Sequence, residues 1–252
     1  MAKSNRYVGR AGQEIVKCLQ YTPEQLEKCA HKVLCAFDNE RIHKTKPLDV
    51  YSVIERILDV PYDWKYLSPD QSILGVTAFN EGYLWVWPEP FFYDGQKPYQ
   101  IKVEKGTILI ESSLTESGNI GRENFTVMHE VFHNILHEEF FLSQPPNYAH
   151  ITWNQEYKNN GHKKLLTPLE IIEYQANHCA ACFLMPRDLV INVFDRIFVK
   201  EHYRKNNAMY LDYVIHSLAS EFSVSDQAMK YRLNNLNVIR KSNNDTYVPV
   251  RL

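Results

Sequence analysis

The run His129-Glu-Val-Phe-His-Asn-Ile-Leu-His137 constrains this chain more than any other stretch. Histidines four apart share one face of a helix, so the rings of His129 and His133 can approach a single tetrahedral ion. Glu130, one position along, is placed to reach a water beside that ion rather than the ion itself. Composition alone gives roughly 0.03 expected matches to His-Glu-x-x-His in a chain of this length. The competing reading is an ordinary amphipathic helix. Val127, Met128, Val131, Phe132, Ile135 and Leu136 would form its apolar face, and His129, Glu130, His133, Asn134 and His137 its solvated one.

A third protein ligand decides between the two. His137 lies eight residues from His129, a rise of about 12 Å along a straight helix, so the two cannot share an ion. It reads as a second-layer or surface residue. A later stretch, Glu173-Tyr-Gln-Ala-Asn177, offers a carboxylate and an amide on one helix face. Glu173 can ligate, and Asn177 can accept the ring N–H of a ligating histidine. His178 is one step off that face and is the weaker candidate. Cys179 and Cys182 fall roughly half a turn away. Cys179-Ala-Ala-Cys182 therefore reads as core packing, and no second Cys-x-x-Cys completes a zinc knuckle.

Around these residues the pattern is α+β. Thr22, Pro23 and Gln25 form a helix start with a capping box, as do Thr167, Pro168 and Glu170. Residues 48–58 read as a second helix. ILGVTAF, GYLWVWP, YQIKVEK and TILIESS read as short strands, with Asn80-Glu81-Gly82 and Lys105-Gly106 as turns, so an antiparallel meander is expected. The long Pro- and Asn-rich stretch of residues 138–164 reads as a loop, and the remainder as helical.

GRENFTVMHEVFHNILH followed by EYQANHCAACFLMP resembles the ImmA/IrrE-type zinc metallo-endopeptidases, which have a thermolysin-like site. The elements that carry the likeness are Arg122, Phe125, Thr126, His129, Glu130, His133, His137, Glu173, Ala176, Asn177, Leu184, Met185 and Pro186. The likeness runs over roughly residues 48 to 236. It implies Zn²⁺ held by His129, His133 and Glu173, Glu130 as the base, and limited cleavage of a DNA-binding helix-turn-helix repressor. It also implies a zincin-like catalytic domain over residues 48–190; residues 1–47, which have no counterpart in the family, read as a helical extension before it. A helical tail of residues 191–252 follows, packed on that domain. The sequence departs from the family at Phe132, where Gly is common, and at Cys179-Ala-Ala-Cys182. A ring at position 132 either narrows a subsite or repacks the helix.

Other segments carry weaker expectations. The aromatic stretch from Tyr83 to Tyr99 reads as core packing or as a protein-binding surface. His150, Tyr157 and His162 are candidates for stabilising an oxyanion, a role left unassigned. ILGVTAF or TILIESS could hold a substrate strand at a sheet edge. LASEFSVSDQAMKYRLNNL has helix-turn-helix spacing, with Lys230 and Arg232 on its second helix. Residues 187–252 carry ten Lys and Arg against seven Asp and Glu. That mild excess favours packing on the catalytic domain over direct binding of nucleic acid. The formal charge of −2, the lack of a long apolar run and five cysteines fit a soluble cytoplasmic protein with no membrane partner. The expected function is an intracellular zinc endopeptidase acting on a protein substrate. The rival is a regulatory module binding DNA or protein, with a vestigial or structural zinc site.

Overall fold

The computed structural model describes residues 3–6, 17–89, 97–142, 149–153, 167–200, 208–241 and 247–250. In chain order, β1 (Lys3–Arg6) and β2 (Lys17–Gln20) form an antiparallel pair ahead of helix α1 (Pro23–Asp38). A single turn, α2 (Tyr51–Val53), runs into a π-helical turn over Ile54–Leu58. Next come β3 (Tyr62–Lys65), β4 (Ile73–Ala78), β5 (Gly82–Val86), β6 (Tyr99–Val103) and β7 (Ile108–Glu111). Helices α3 (Ser112–Glu116) and α4 (Ile120–Leu142) follow, then β8 (Ala149–Trp153) and α5 (Pro168–Leu184). The rest is α6 (Arg187–Lys200), α7 (Ala208–Phe222), α8 (Asp226–Asn235), β9 (Ile239–Lys241) and β10 (Tyr247–Pro249). The mixture of helices and small sheets is α+β.

Local chemistry sets the helix starts. At α1, Thr22 accepts from the Gln25 backbone while the Gln25 side chain accepts from the Thr22 N–H, and Pro23 needs no partner for a missing N–H. Thr167, Pro168 and Glu170 do the same for α5. Helix α1 buries Leu26, Ala30, Leu34 and Phe37, a helical-period stripe that packs on α5. The expected second helix forms over residues 51–58, starting three residues late: a single α turn loosens to a π turn, and Asp59 ends it at the expected place in the left-handed region at φ 53°.

The expected meander is not what forms. The main sheet has the order β3-β7-β4-β8, with β3 parallel to β7 and the other two pairings antiparallel. Strands β5 and β6 make a separate hairpin, Gly82 opposite Val103 through Val86 opposite Tyr99. Burial explains the difference. Residues Gly75 through Ala78 of β4 and all of β7 are buried, so these two strands pair with each other beneath α4. Strand β5 alternates between exposed and half-buried positions until Val86 and does not enter that layer. Consequently neither ILGVTAF nor TILIESS lies at an edge. Among the described strands of this sheet the edges are β3 and β8.

Helix α4 lies between the sheet and α5, which is why its polar stripe is not wet. Val127, Met128, Val131 and Phe132 join one core with Ala176, Cys179, Ala180 and Phe183 of α5, while His129, Glu130, His133 and His137 are buried as well. Phe132 packs its ring on Phe183 at 6.1 Å, so it repacks the helix interface. The turn between α7 and α8 sits on the start of α4. Asn124 donates to the Ser223 carbonyl, and a Cβ at Gly121 would come within 2.5 Å of the Val224 backbone. Only glycine permits that approach. Ser225 caps α8, as its position predicts.

Candidate metal centre

Helix periodicity brings His129 and His133 to one side of α4, and α5 crosses that side with Glu173. One ligand atom from each of the three lies within 4.8 Å of the others. His129 Nε2 is 3.4 Å from Glu173 Oε2, His133 Nε2 is 3.5 Å from Glu173 Oε1, and the two Nε2 atoms are 2.8 Å apart. Three atoms bound about 2.0–2.1 Å from a tetrahedral ion would be separated by roughly 3.3–3.4 Å. Each His–Glu distance is close to that figure but reaches a different carboxylate oxygen, so a turn of the Glu173 carboxylate and an opening of the His–His distance by about half an ångström would complete the site. Two borderline nitrogens and a carboxylate oxygen form a donor set suited to a transition-type divalent ion.

The rings are oriented from behind. Asn177 Oδ1 stands 3.0 Å from His129 Nδ1. An amide oxygen only accepts, so Nδ1 carries a proton and Nε2 is the ring nitrogen turned to the cluster. The spacing of Glu173 and Asn177 predicts this pairing. Burial works to lower the His129 pKa, but the Glu173 carboxylate, helped by Glu130 and Asn177, outweighs it and holds the ring above the ordinary histidine value. Glu173 retains 31% side-chain exposure and opens the cluster to solvent, whereas His133 has none.

Glu130 lies on the sheet side of α4 and is fully buried. Thr77 Oγ1 of β4 donates to its Oε2 at 2.5 Å. Its Oε1 would lie 2.5 Å from a Cβ at Gly75, so the strand can pass over this carboxylate only because residue 75 has no side chain. Neither Thr77 nor Gly75 stood out in the sequence as part of a site. The one available signal was a glycine in a strand interior, which often marks a close approach.

His137 is not a surface residue. It is buried, with Nδ1 3.0 Å from His133 Nδ1 and Nε2 2.9 Å from Gln175 Oε1, so it backs the cluster without joining it. His178 is buried elsewhere on α5 beside Tyr174, and burial together with nearby Arg232 lowers its pKa. Cys179 and Cys182 point into the core. The Cys179 thiol meets the Leu26 carbonyl, and Cys182 Sγ accepts from Arg232 Nη1 at 3.2 Å. Burial pushes the Cys182 thiol up to about 11. Register sets His150 opposite Thr77, while Tyr157, His162 and residues 90–96 of the aromatic stretch lie outside the described residues. Tyr83, Trp85 and Tyr99 of the β5–β6 hairpin are exposed.

The cations expected on the second helix of the tail are engaged internally. Arg232 is 1% exposed and donates to the Met185 carbonyl, Cys182 Sγ and Glu27 Oε1, while Lys230 pairs with Asp212. No helix among the described residues is long and apolar enough to cross a membrane.

Comparison with known proteins adds a family. None of the curated proteins matches the chain. The Peptidase M78 family model, an IrrE N-terminal-like domain, matches residues 93–234. That segment carries His129, Glu130, His133 and Glu173 and spans more than half of the 252 residues. The chain therefore belongs to the M78 peptidase family, and its function is of the metallopeptidase type.

Proposed function

We propose that the protein is a zinc-dependent endopeptidase in which His129, His133 and Glu173 hold the metal and Glu130 is the general base. The observation that carries this reading is the convergence of two imidazole nitrogens and a carboxylate, drawn from two helices, within 4.8 Å. When bound, zinc would polarise the scissile carbonyl and stabilise the charge that develops on its oxygen. The remaining work falls to the chain. Asn177 keeps the His129 proton on Nδ1, leaving Nε2 free to ligate. The Glu130 carboxylate, its Oε2 held by Thr77, takes a proton from the attacking water and passes it to the leaving amine. Burial of Glu130 beneath β4 keeps bulk water from the carboxylate.

The substrate in this proposal is a DNA-binding helix-turn-helix regulator cut at one or a few places, as the family resemblance implies. The exposed pair Tyr83 and Trp85 gives the hairpin an aromatic face suited to a folded partner. The compartment is the cytoplasm, where thiols such as Cys29, Cys35, Cys179 and Cys182, free in this structure, stay reduced. The proposed division is a zincin-like catalytic unit over residues 48–190 with residues 1–47 and 191–252 as additions, which are not purely helical as expected because each also holds a small antiparallel strand pair.

Metal analysis tests the centre directly. About one Zn²⁺ per chain is expected, lost in His129→Ala and Glu173→Ala and kept in Cys182→Ala. Full occupancy in Glu173→Ala would overturn the ligand set. Glu130→Gln should keep zinc while cleavage falls at least ~10²-fold. Rapid digestion of casein into many fragments would refute the selectivity.

A further inference from the structure

We propose that Gln175 and His137 are positioning residues forming a proton-ordered relay that fixes the tautomer of His133, and with it the lone pair offered to the metal. The inference rests on the reading of His133 as a ligand. Gln175, His137 and His133 are all buried, where polar atoms keep hydrogen-bond partners. His137 Nε2 lies 2.9 Å from Gln175 Oε1, and His137 Nδ1 lies 3.0 Å from His133 Nδ1.

The direction follows atom by atom. An amide oxygen can only accept, so His137 carries its proton on Nε2. A neutral imidazole has one N–H, which leaves His137 Nδ1 as an acceptor. His133 Nδ1 must then donate to it, and His133 Nε2 is left with a bare lone pair facing His129 Nε2 and Glu173. Turning the amide over reverses every step and puts a proton on His133 Nε2, where a metal would have to bind. Only one orientation of Gln175 is therefore compatible with ligation. Helix α5 thus sets both histidines through amides, His129 directly by Asn177 and His133 at one remove by Gln175. The sequence hides this device, because His137 cannot reach the ion and Gln175 is two residues from the ligand carboxylate.

The test uses the full chain, without metal and then with zinc. Long-range proton–nitrogen correlation on ¹⁵N-histidine protein should find His133 protonated at Nδ1 and His137 at Nε2. A proton on His133 Nε2 overturns the relay. Zinc affinity is then measured by chelator competition for the parent, Gln175→Leu and Gln175→Glu, with thermal unfolding of each metal-free form alongside. Gln175→Leu, which fills the space without an acceptor, should weaken zinc binding by about 10–100-fold. Gln175→Glu restores the acceptor and should recover the parent affinity. Equal affinity in the leucine variant, or an equal loss in both variants, overturns the relay. A parent chain that takes up no zinc would defeat the metal reading, while the tautomer spectrum would still decide the relay.

Discussion

Thr77 Oγ1 donates to Glu130 Oε2 at 2.5 Å, joining the second strand of the main sheet to the histidine-bearing helix across 53 residues of sequence. The hydroxyl also stands 3.5 Å from the Glu130 carbonyl oxygen, so it is a polar contact of β4 with this part of α4. Hydrogen bonds to charged groups contribute about 1.5–3 kcal/mol. Thr77→Val keeps the shape and removes the donor, and should lower unfolding stability by that amount. In a Glu130→Gln background the cost should shrink by roughly 1 kcal/mol, since the acceptor is no longer charged. Denaturant melts of the four proteins in this cycle give the answer, and an identical cost in both backgrounds would deny the bond its role.

Gly75 should accept a side chain only at a cost. A methyl group there meets Glu130 Oε1 at 2.5 Å and Cδ at 2.9 Å, and the carboxylate is buried and held by Thr77. Gly75→Ala should cost about 1–3 kcal/mol through overpacking. Under the proposed mechanism it should also reduce cleavage while zinc content stays at the parent level. Parent-level cleavage by the Gly75→Ala variant would mean that the base works from another position.

Arg232 and Lys230 should separate sharply. Arg232 is buried against Met185, Cys182 and Glu27, so Arg232→Met strips these contacts, leaves Glu27 paired with the more exposed Arg187, and should destabilise by about 3 kcal/mol. Lys230→Ala on the surface should change stability by less than about 0.5 kcal/mol. Salt-sensitive DNA binding that depended on both residues would instead revive a nucleic-acid role for the tail.

Acid should weaken the attachment of α1. Burial alone would raise the Glu27 carboxyl, but Arg187 and Arg232 outweigh it and hold its pKa below the ordinary value. The unfolded chain therefore takes up this proton at higher pH than the folded one. The stabilisation is complete above the usual glutamate value of about 4.3 and disappears as pH falls through the lower folded value. Melts from neutral pH to about 3 should show the parent losing more stability than Glu27→Gln. Parallel curves would remove Glu27 from the acid response.

Much of the centre was legible because helices carry it. Spacing by four puts His129 beside His133 and Glu173 beside Asn177 whatever the rest of the fold does, and the capping residues announce where α1 and α5 begin. Strand order was not legible. Pairing of β4 with β7 and β8 is decided by which strands are buried under α4, and a short alternating segment does not state its partner. Packing of the tail was the favoured expectation, but the partner of Arg232 was not legible, because Glu27 lies some 200 residues earlier. Gly75, Thr77 and Gln175 support other residues across long sequence distances, so no local pattern marks them.

The family match begins at residue 93, yet the strand that carries Gly75 and Thr77 ends at Ala78. Helix α1, which covers α5 and receives Arg232, lies earlier still. The smallest portion able to stand alone must therefore reach back at least to residue 22, where α1 is capped. An excised 93–234 segment would expose the face of α5 that α1 covers and leave β7 without either neighbour. The stretch that has to fold together is thus longer than the stretch that carries the family's pattern.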